Sequence, residues 1–377
     1  MRALLGATYR AGLAHLPIGA RTLLQAVLAL PQIVPAAPLR PLEWLTPPPA
    51  RRRLSFEVDR QPAWADLYLP GGPRPCRWPG IVLTLGANEL GGQDPRAVAL
   101  AEALARCGFL VLLVPGSPAL MAPDGAHGGP LGLVEAPAVA AAAFEHLAAR
   151  NDVDPRRLGF VGVCIGGAVC LLAAARPTLA ERVAFVYLIG PYLSLRSLLR
   201  AIASQTTVTP DGRRQPWPAR PFARDRLRAW LLRALDVDEA RAVRAVLDSA
   251  APLPDGLSAR ARAVFDLARG VPPERADELI DALGAEFSAV LEAASPAGQL
   301  AGLRAETFVM HGVADGNIPV DESRRLVRAL HGQVPLRHAE FELFEHVDAT
   351  RPLAAATYAR ELWRLVDHVR PLLRFAN

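Results

Sequence analysis

Leu158-Gly159-Phe160-Val161-Gly162-Val163-Cys164-Ile165-Gly166-Gly167 is the stretch that decides the fold. Residues 158–163 form an apolar run of the kind found in a strand covered on both faces, and the small, apolar residues after Cys164 run on as a helix to Ala175. Cys164 therefore stands on a sharp turn from strand to helix. A residue there is held in a strained backbone conformation, and small neighbours two positions to either side, Gly162 and Gly166, let strand and helix approach without clash. The turn points the Cys164 side chain out of the sheet edge. The start of the helix offers free N–H groups and a partial positive charge, which favour an anionic sulfur. The N–H of Ile165, the residue after the cysteine, is then the first donor to an oxyanion. The competing reading, a small buried core cysteine, leaves the paired glycines at this turn unexplained.

Working outward, Leu54–Val58 and Ala65–Leu69 alternate as two strands of a hairpin, and Ile81–Leu85, apolar but for Thr84, reads as a strand covered on both faces. Asp94-Pro95 supplies a capping carboxylate and a first-turn proline for a helix that Gly108 stops. Phe109–Val114 is the next strand, Glu135–Arg150 the next helix and Val183–Ile189 the strand after the turn. Such alternation predicts a mostly parallel twisted sheet with right-handed crossovers and helices on both faces. A long stretch then reads as amphipathic helices at Asp225–Leu235, Asp238–Leu247, Ala259–Ala268 and Arg275–Leu291. Sheet-like sequence resumes at Glu306–Met310, followed by a helix at Asp321–Leu330, a strand at Leu336–Phe344 and a closing helix at Leu353–Val369. The implied organisation is an apolar, proline-rich helical arm over residues 1–50, a core over 51–192 and 304–377, and a helical cap inserted at 193–303.

The pattern G-x-C-x-G-G at residues 162–167 resembles the elbow of the dienelactone hydrolase family, in which cysteine stands where most α/β-hydrolases have serine. Val153-Asp154-Pro155-Arg156-Arg157-Leu158-Gly159 is similar to the lead into the elbow strand of related hydrolases. The resemblance covers the core and not the insertion, and it implies an α/β-hydrolase fold with Cys164 as nucleophile. A thiol nucleophile needs a base, and the base an orienting acid, in the chain order nucleophile, acid, histidine. Asp315, within His311-Gly312-Val313-Ala314-Asp315-Gly316-Asn317-Ile318-Pro319, resembles the acid loop H-G-x-x-D-x-x-[IV]-P; an ordinary turn aspartate is the alternative. His346 follows the strand ending at Phe344 and is the expected base, with a surface histidine as its alternative. His311, His331 and His338 are poorer candidates, and Glu345 and Asp348 compete with Asp315 as partner of the imidazole. The second oxyanion donor is expected from the loop Leu85-Gly86-Ala87-Asn88-Glu89, with the Ala87 N–H chosen by analogy; Glu89 reads as a solvated loop residue rather than as the glutamate that influences the thiol in the family.

These residues point to cleavage of a small-molecule ester, lactone or thioester through an acyl-thioester. An acyltransferase such as a polyester synthase shares G-x-C-x-G-G but has the histidine context G-H-x-x-G, where this chain has Glu345-His346-Val347-Asp348. An inactive binding protein of the same fold is the third reading. The 42 basic residues are all arginine and are interspersed with 37 acidic ones, so the charge of +5 describes a mixed surface and not a nucleic-acid stripe. Cys76, Cys107, Cys164 and Cys170 lack disulfide-scaffold or metal spacing, which makes a reducing cytoplasm the expected compartment; no cofactor motif is found. The uncharged run Thr22–Leu39 contains Pro31, Pro35 and Pro38, which argue for an arm packed on the domain, ahead of peripheral membrane attachment and a cleaved signal. The substrate is not legible: Trp217, Phe222 and Trp230 read equally as pocket walls and as helix packing.

Overall fold

The structure, a computed structural model, describes residues 9, 12–13, 15–33, 39–58, 60–72, 76–86, 90–114, 130–249, 252–346 and 351–377. Helices α1 (Ile18–Ile33) and α2 (Pro41–Leu45) come first, followed by an antiparallel hairpin of β1 (Ala50–Val58) and β2 (Gln61–Leu69). Then β3 (Trp78–Thr84), α3 (Pro95–Arg106), β4 (Leu110–Val114), α4 (Pro130–Ala148), β5 (Val153–Val163), α5 (Ile165–Ala174) and β6 (Phe185–Ile189) alternate as the apolar periodicity predicts. Every residue of β3 and β4 is buried, because helices cover both faces of these strands. At the start of α3 the Asp94 carboxylate accepts the Arg96 N–H at 2.9 Å, and the chain leaves the helix through Gly108 at φ 106°.

The eight-stranded sheet has the order β1-β2-β4-β3-β5-β6, completed by β9 (Glu306–Gly312) and β10 (Leu336–Phe341). Only the β1–β2 and β2–β4 pairs are antiparallel. The connection leaving β3 runs toward β4 and the one leaving β5 runs toward β6, so strand order reverses between β3 and β5. Crevices at such a reversal, outside the carboxyl ends of the strands, are where open α/β sheets bind ligands. Cys164 follows β5 and Gly86 follows β3, at that point.

One sheet face packs on α4 and α5, with Phe144 stacked on Phe160 at 5.3 Å between ring centres. The other face packs on α1, α3 and α13 (Ala355–Val369), where Ala26, Ala101 and Leu365 are buried. The arm helix α1 is further tied down by Gln25, whose amide donates to the Cys107 carbonyl at 3.4 Å and accepts from Asn377 at 2.7 Å. Among the described residues no helix is long and apolar enough to cross a membrane.

Between β6 and β9 the chain forms a helical insertion: α6 (Leu195–Ser204), a short hairpin of β7 (Thr206–Val208) and β8 (Arg214–Pro216), α7 (Pro221–Leu232), α8 (Val237–Ser249), α9 (Ala259–Arg269), α10 (Pro273–Asp281) and α11 (Ala285–Ala293). Its apolar centre includes Leu231 and Val264 and is continuous with Cys164 and Ala168 of the elbow. The helix expected at Arg275–Leu291 is instead two helices, because the chain turns at Gly284 with φ 95°, a conformation that a continuing helix does not contain. Helix α6 and the β7–β8 hairpin were not foreseen. The strand expected to reach Phe344 ends at Phe341, and the following Glu342 N–H donates to the Glu361 carboxylate at 2.6 Å rather than to the sheet. Helix α12 (Val320–Leu330) joins β9 to β10.

Phe160 is fully buried on the central strand, so Phe160→Ala is expected to lower unfolding stability by about 3–5 kcal/mol, read from urea denaturation. A loss under about 1 kcal/mol would contradict the assigned packing of α4 on β5.

Candidate active site

The Cys164 backbone has φ 58° and ψ −128°, a region that costs a non-glycine residue about 1–3 kcal/mol. It is held there by two backbone hydrogen bonds, Cys164 N–H to Ile189 O at 2.7 Å and Gly167 N–H to Cys164 O at 2.9 Å. The close approach of β5 and α5 leaves no room for side chains beside the turn. A Cβ on Gly162 would lie 2.6 Å from the Gly166 carbonyl oxygen, and one on Gly166 would lie 2.7 Å from that of Thr84. Thr84 also donates its hydroxyl to the Gly166 carbonyl at 2.9 Å. The tightness extends to the neighbouring loop, where a Cβ on Gly86 would lie 2.9 Å from the Cys164 sulfur.

Asp315 lies in the loop after β9 and is 2 % exposed. Its Oδ1 accepts the N–H groups of Asn317 at 2.8 Å and Ile318 at 3.0 Å. Its Oδ2 lies 2.7 Å from Nδ1 of His346 and 3.3 Å from Nε2 of His311. The imidazole of His346 thus meets Asp315 through Nδ1, and it lies near enough to Cys164 for the thiol to act on its pKa. Gly190, at φ 61°, passes close by; a Cβ there would lie 3.5 Å from Asp315 Oδ2 and 3.8 Å from the His346 ring.

The electrostatics follow from this geometry. Burial works to lower the His346 pKa, but the charges of Asp315 and Cys164 and the hydrogen bonds to both outweigh it, and the pKa stands well above 6.5. Burial works to raise the pKa of Asp315; the His346 charge and the hydrogen bonds from His311 and His346 prevail and hold the carboxyl below the usual carboxylate range. A buried carboxylate is tolerable only when its lone pairs are satisfied, and here two N–H groups and two imidazoles do so.

Of the residues singled out from sequence, Cys164, His346 and Asp315 come together, and Ile165 opens α5 directly after the thiol. Ala87, Asn88 and Glu89, which include the expected second oxyanion donor, lie outside the described residues, as does Asp348. The Glu345 carboxylate is ion-paired with Arg220. His338 lies on β10 with its ring 3.7 Å from Glu340. Cys107 and Cys170 are fully buried thiols whose pKa burial pushes up to about 12. Among the described residues no group of His, Cys, Asp and Glu is arranged to hold a metal.

One contributor escaped the sequence reading: Arg220 donates its backbone N–H to Gly316 O at 2.7 Å beside the acid loop. Trp217, which read as pocket wall or helix packing, instead donates its indole N–H to the Asp315 carbonyl at 2.8 Å. Both belong to the insertion, and no local pattern ties them to Asp315. Trp230 packs edge-on against Phe287, whereas Phe222 lines the cavity that contains Cys164 and His346, a space of about 280 Å³.

No family model and no curated protein matches the chain. Solved structures do. Dipeptidyl peptidase 4 of Porphyromonas gingivalis is 14% identical, with 88% of this chain and 37% of that one covered at a TM-score of 0.52. A puromycin-hydrolyzing peptidase of Mycobacterium tuberculosis is 17% identical, with 90% and 41% covered at 0.52. DcsB, solved in complex with its substrate analogue, is 16% identical, with 86% and 98% covered at 0.50. The chain spans about two fifths of the length of the two peptidases. With its mostly parallel sheet of eight strands, flanking helices and helical insertion, the chain has the α/β-hydrolase fold.

Proposed function

We propose that the protein hydrolyses a carboxylic ester, lactone or thioester through Cys164, His346 and Asp315, by way of an acyl-thioester on Cys164. The observation that carries this reading is one imidazole bonded to a buried carboxylate at 2.7 Å and lying close to a thiol on a strained strand-to-helix turn. His346 takes the proton from the Cys164 sulfur, and the sulfur attacks the carbonyl carbon. The Ile165 N–H donates a hydrogen bond to the developing oxyanion, with the Ala87 N–H as second donor. Collapse expels the alcohol or thiol, which leaves with the proton held by His346. Water, deprotonated by the same imidazole, then attacks the thioester, and the acid departs as the proton returns to sulfur. Asp315 fixes the ring with Nδ1–H toward itself and stabilises the imidazolium. Residues 193–303 act as a cap over this site, and Arg220 ion-pairs with Glu345, the residue before the base.

Intact-mass measurement with p-nitrophenyl esters is expected to trap one acyl group per chain on Cys164, and Cys164→Ala is expected to abolish both adduct and turnover. Ester cleavage that survives Cys164→Ala and thiol alkylation would refute the assignment.

Asp315→Asn leaves the imidazole without its counter-charge and is expected to lower kcat by about 10⁴-fold, as loss of the orienting acid does in comparable triads. Activity within about tenfold of the parent would remove Asp315 from the mechanism.

The same pair makes folding stability depend on pH. Asp315 titrates below its ordinary value of 3.8, so its contribution is present above that pH and lost as pH falls through its folded pKa. His346 titrates above 6.5, so its contribution is complete below 6.5 and lost as pH rises through its folded pKa. Thermal melts are therefore expected to separate parent from Asp315→Asn most widely between pH 3.8 and 6.5, and less on either side. A pH-independent gap would contradict the linkage.

A further inference from the structure

The cavity that contains Cys164 and His346 continues well past them. It runs back along β5 from Val163 to Val161 and along β6 from Ile189 to Tyr187, between the sheet and the helical layer. On the helical side it follows α3 from Asp94, before the first turn, to Cys107, after the last. Thirteen helical steps at about 1.5 Å each make this path about 20 Å long. Because α3 runs back across the sheet, its start lies at the carboxyl edge with the thiol and its end at the opposite edge. A space of about 280 Å³ drawn out over that length is elongated and has room for an extended chain.

Polarity is distributed unevenly along it. Charged side chains line the mouth, where Asp94 pairs with Arg96 at 2.7 Å and Glu345 pairs with Arg220. Deeper in, the walls are Ala103 and Leu104 of α3, Ala29 and Leu30 of the arm helix α1, and Leu372 and Leu373 at the carboxyl terminus. The polar atoms there are already engaged or neutral: the Tyr187 hydroxyl meets the Met310 sulfur at 3.4 Å, and the Cys107 thiol keeps its proton because burial raises its pKa to about 12.

We propose that this channel is the acyl subsite, and that the substrate's acyl group is a linear saturated hydrocarbon chain seated between the sheet and helices α1 and α3 with its carbonyl carbon at the Cys164 sulfur. The proposal rests on the hydrolase reading above and goes beyond it in naming the acyl class and in giving the arm a role, as a wall of the binding site. Each methylene of the substrate buried inside an apolar channel contributes about 0.8 kcal/mol, or about fourfold in kcat/KM, until the chain fills the channel.

The test is a series of p-nitrophenyl esters from acetate to palmitate assayed with the full chain. The expected profile rises about fourfold per methylene to an optimum at intermediate length and then falls. Ala103→Phe, which fills the channel midway, is expected to move the optimum to shorter chains, and Leu30→Ala, which opens the wall on the arm side, to move it to longer ones; circular dichroism verifies that each variant is folded. Turnover of acetate with a flat or declining profile toward longer chains overturns the channel while leaving the hydrolase reading intact. If no ester is turned over, titration of Cys164→Ala with decanoate by calorimetry decides: binding retains the channel and sinks the hydrolase, and absence of binding sinks both.

Discussion

Cys164 is forced into a backbone conformation that L-residues avoid, and the surrounding groups are arranged to keep it there. The Ile189 carbonyl and the Gly167 N–H fix the turn from both sides, while a methyl group at Gly162 or Gly166 would collide with backbone. The outcome is a sulfur lifted above the carboxyl edge of the sheet, 8 % exposed, beside the first turn of a helix. Strain of this kind persists only where the environment over-determines it. Here the apolar second half of β5, residues 158–163, and a helix buried along nearly its whole length supply that environment.

A second constraint is the burial of Asp315. A carboxylate with almost no exposure must satisfy its lone pairs internally, and it does so with two N–H groups of its own loop and two imidazoles. This fixes the loop's shape and thereby the position of the His346 ring. The insertion reinforces it from outside, through the Trp217 indole on the Asp315 carbonyl and through Arg220, which takes up Glu345. The acid loop is thus held jointly by the sheet and by the helical insertion, so the two parts of the chain are coupled at the point where proton transfer would occur.

The two helical layers treat the site differently. The insertion contributes an apolar cluster that is continuous with Cys164 and Ala168 on one side. On the other side, α1, α3 and the carboxyl-terminal turn leave an elongated space behind the thiol. The arm at residues 1–50, which composition marks as apolar and interrupted by proline, is therefore structural in a specific sense: its buried residues Ala29 and Leu30 close a wall that the sheet and α3 alone would leave open.

Local sequence determined what depends on nearby residues. The apolar runs, the capping Asp94, the glycines around Cys164 and the loop around Asp315 are short-range patterns, and each appears in the structure where those patterns locate it. The order of cysteine, aspartate and histidine along the chain was equally legible. Tertiary structure alone decided what depends on distant segments meeting: Arg220 beside Glu345, Trp217 on the acid loop, the break at Gly284 and the channel whose walls come from both chain ends. Periodicity reports which face of an element is apolar, but not which other element that face will meet. A cavity exists only as the space that several such meetings leave unfilled, so no single stretch of residues encodes it.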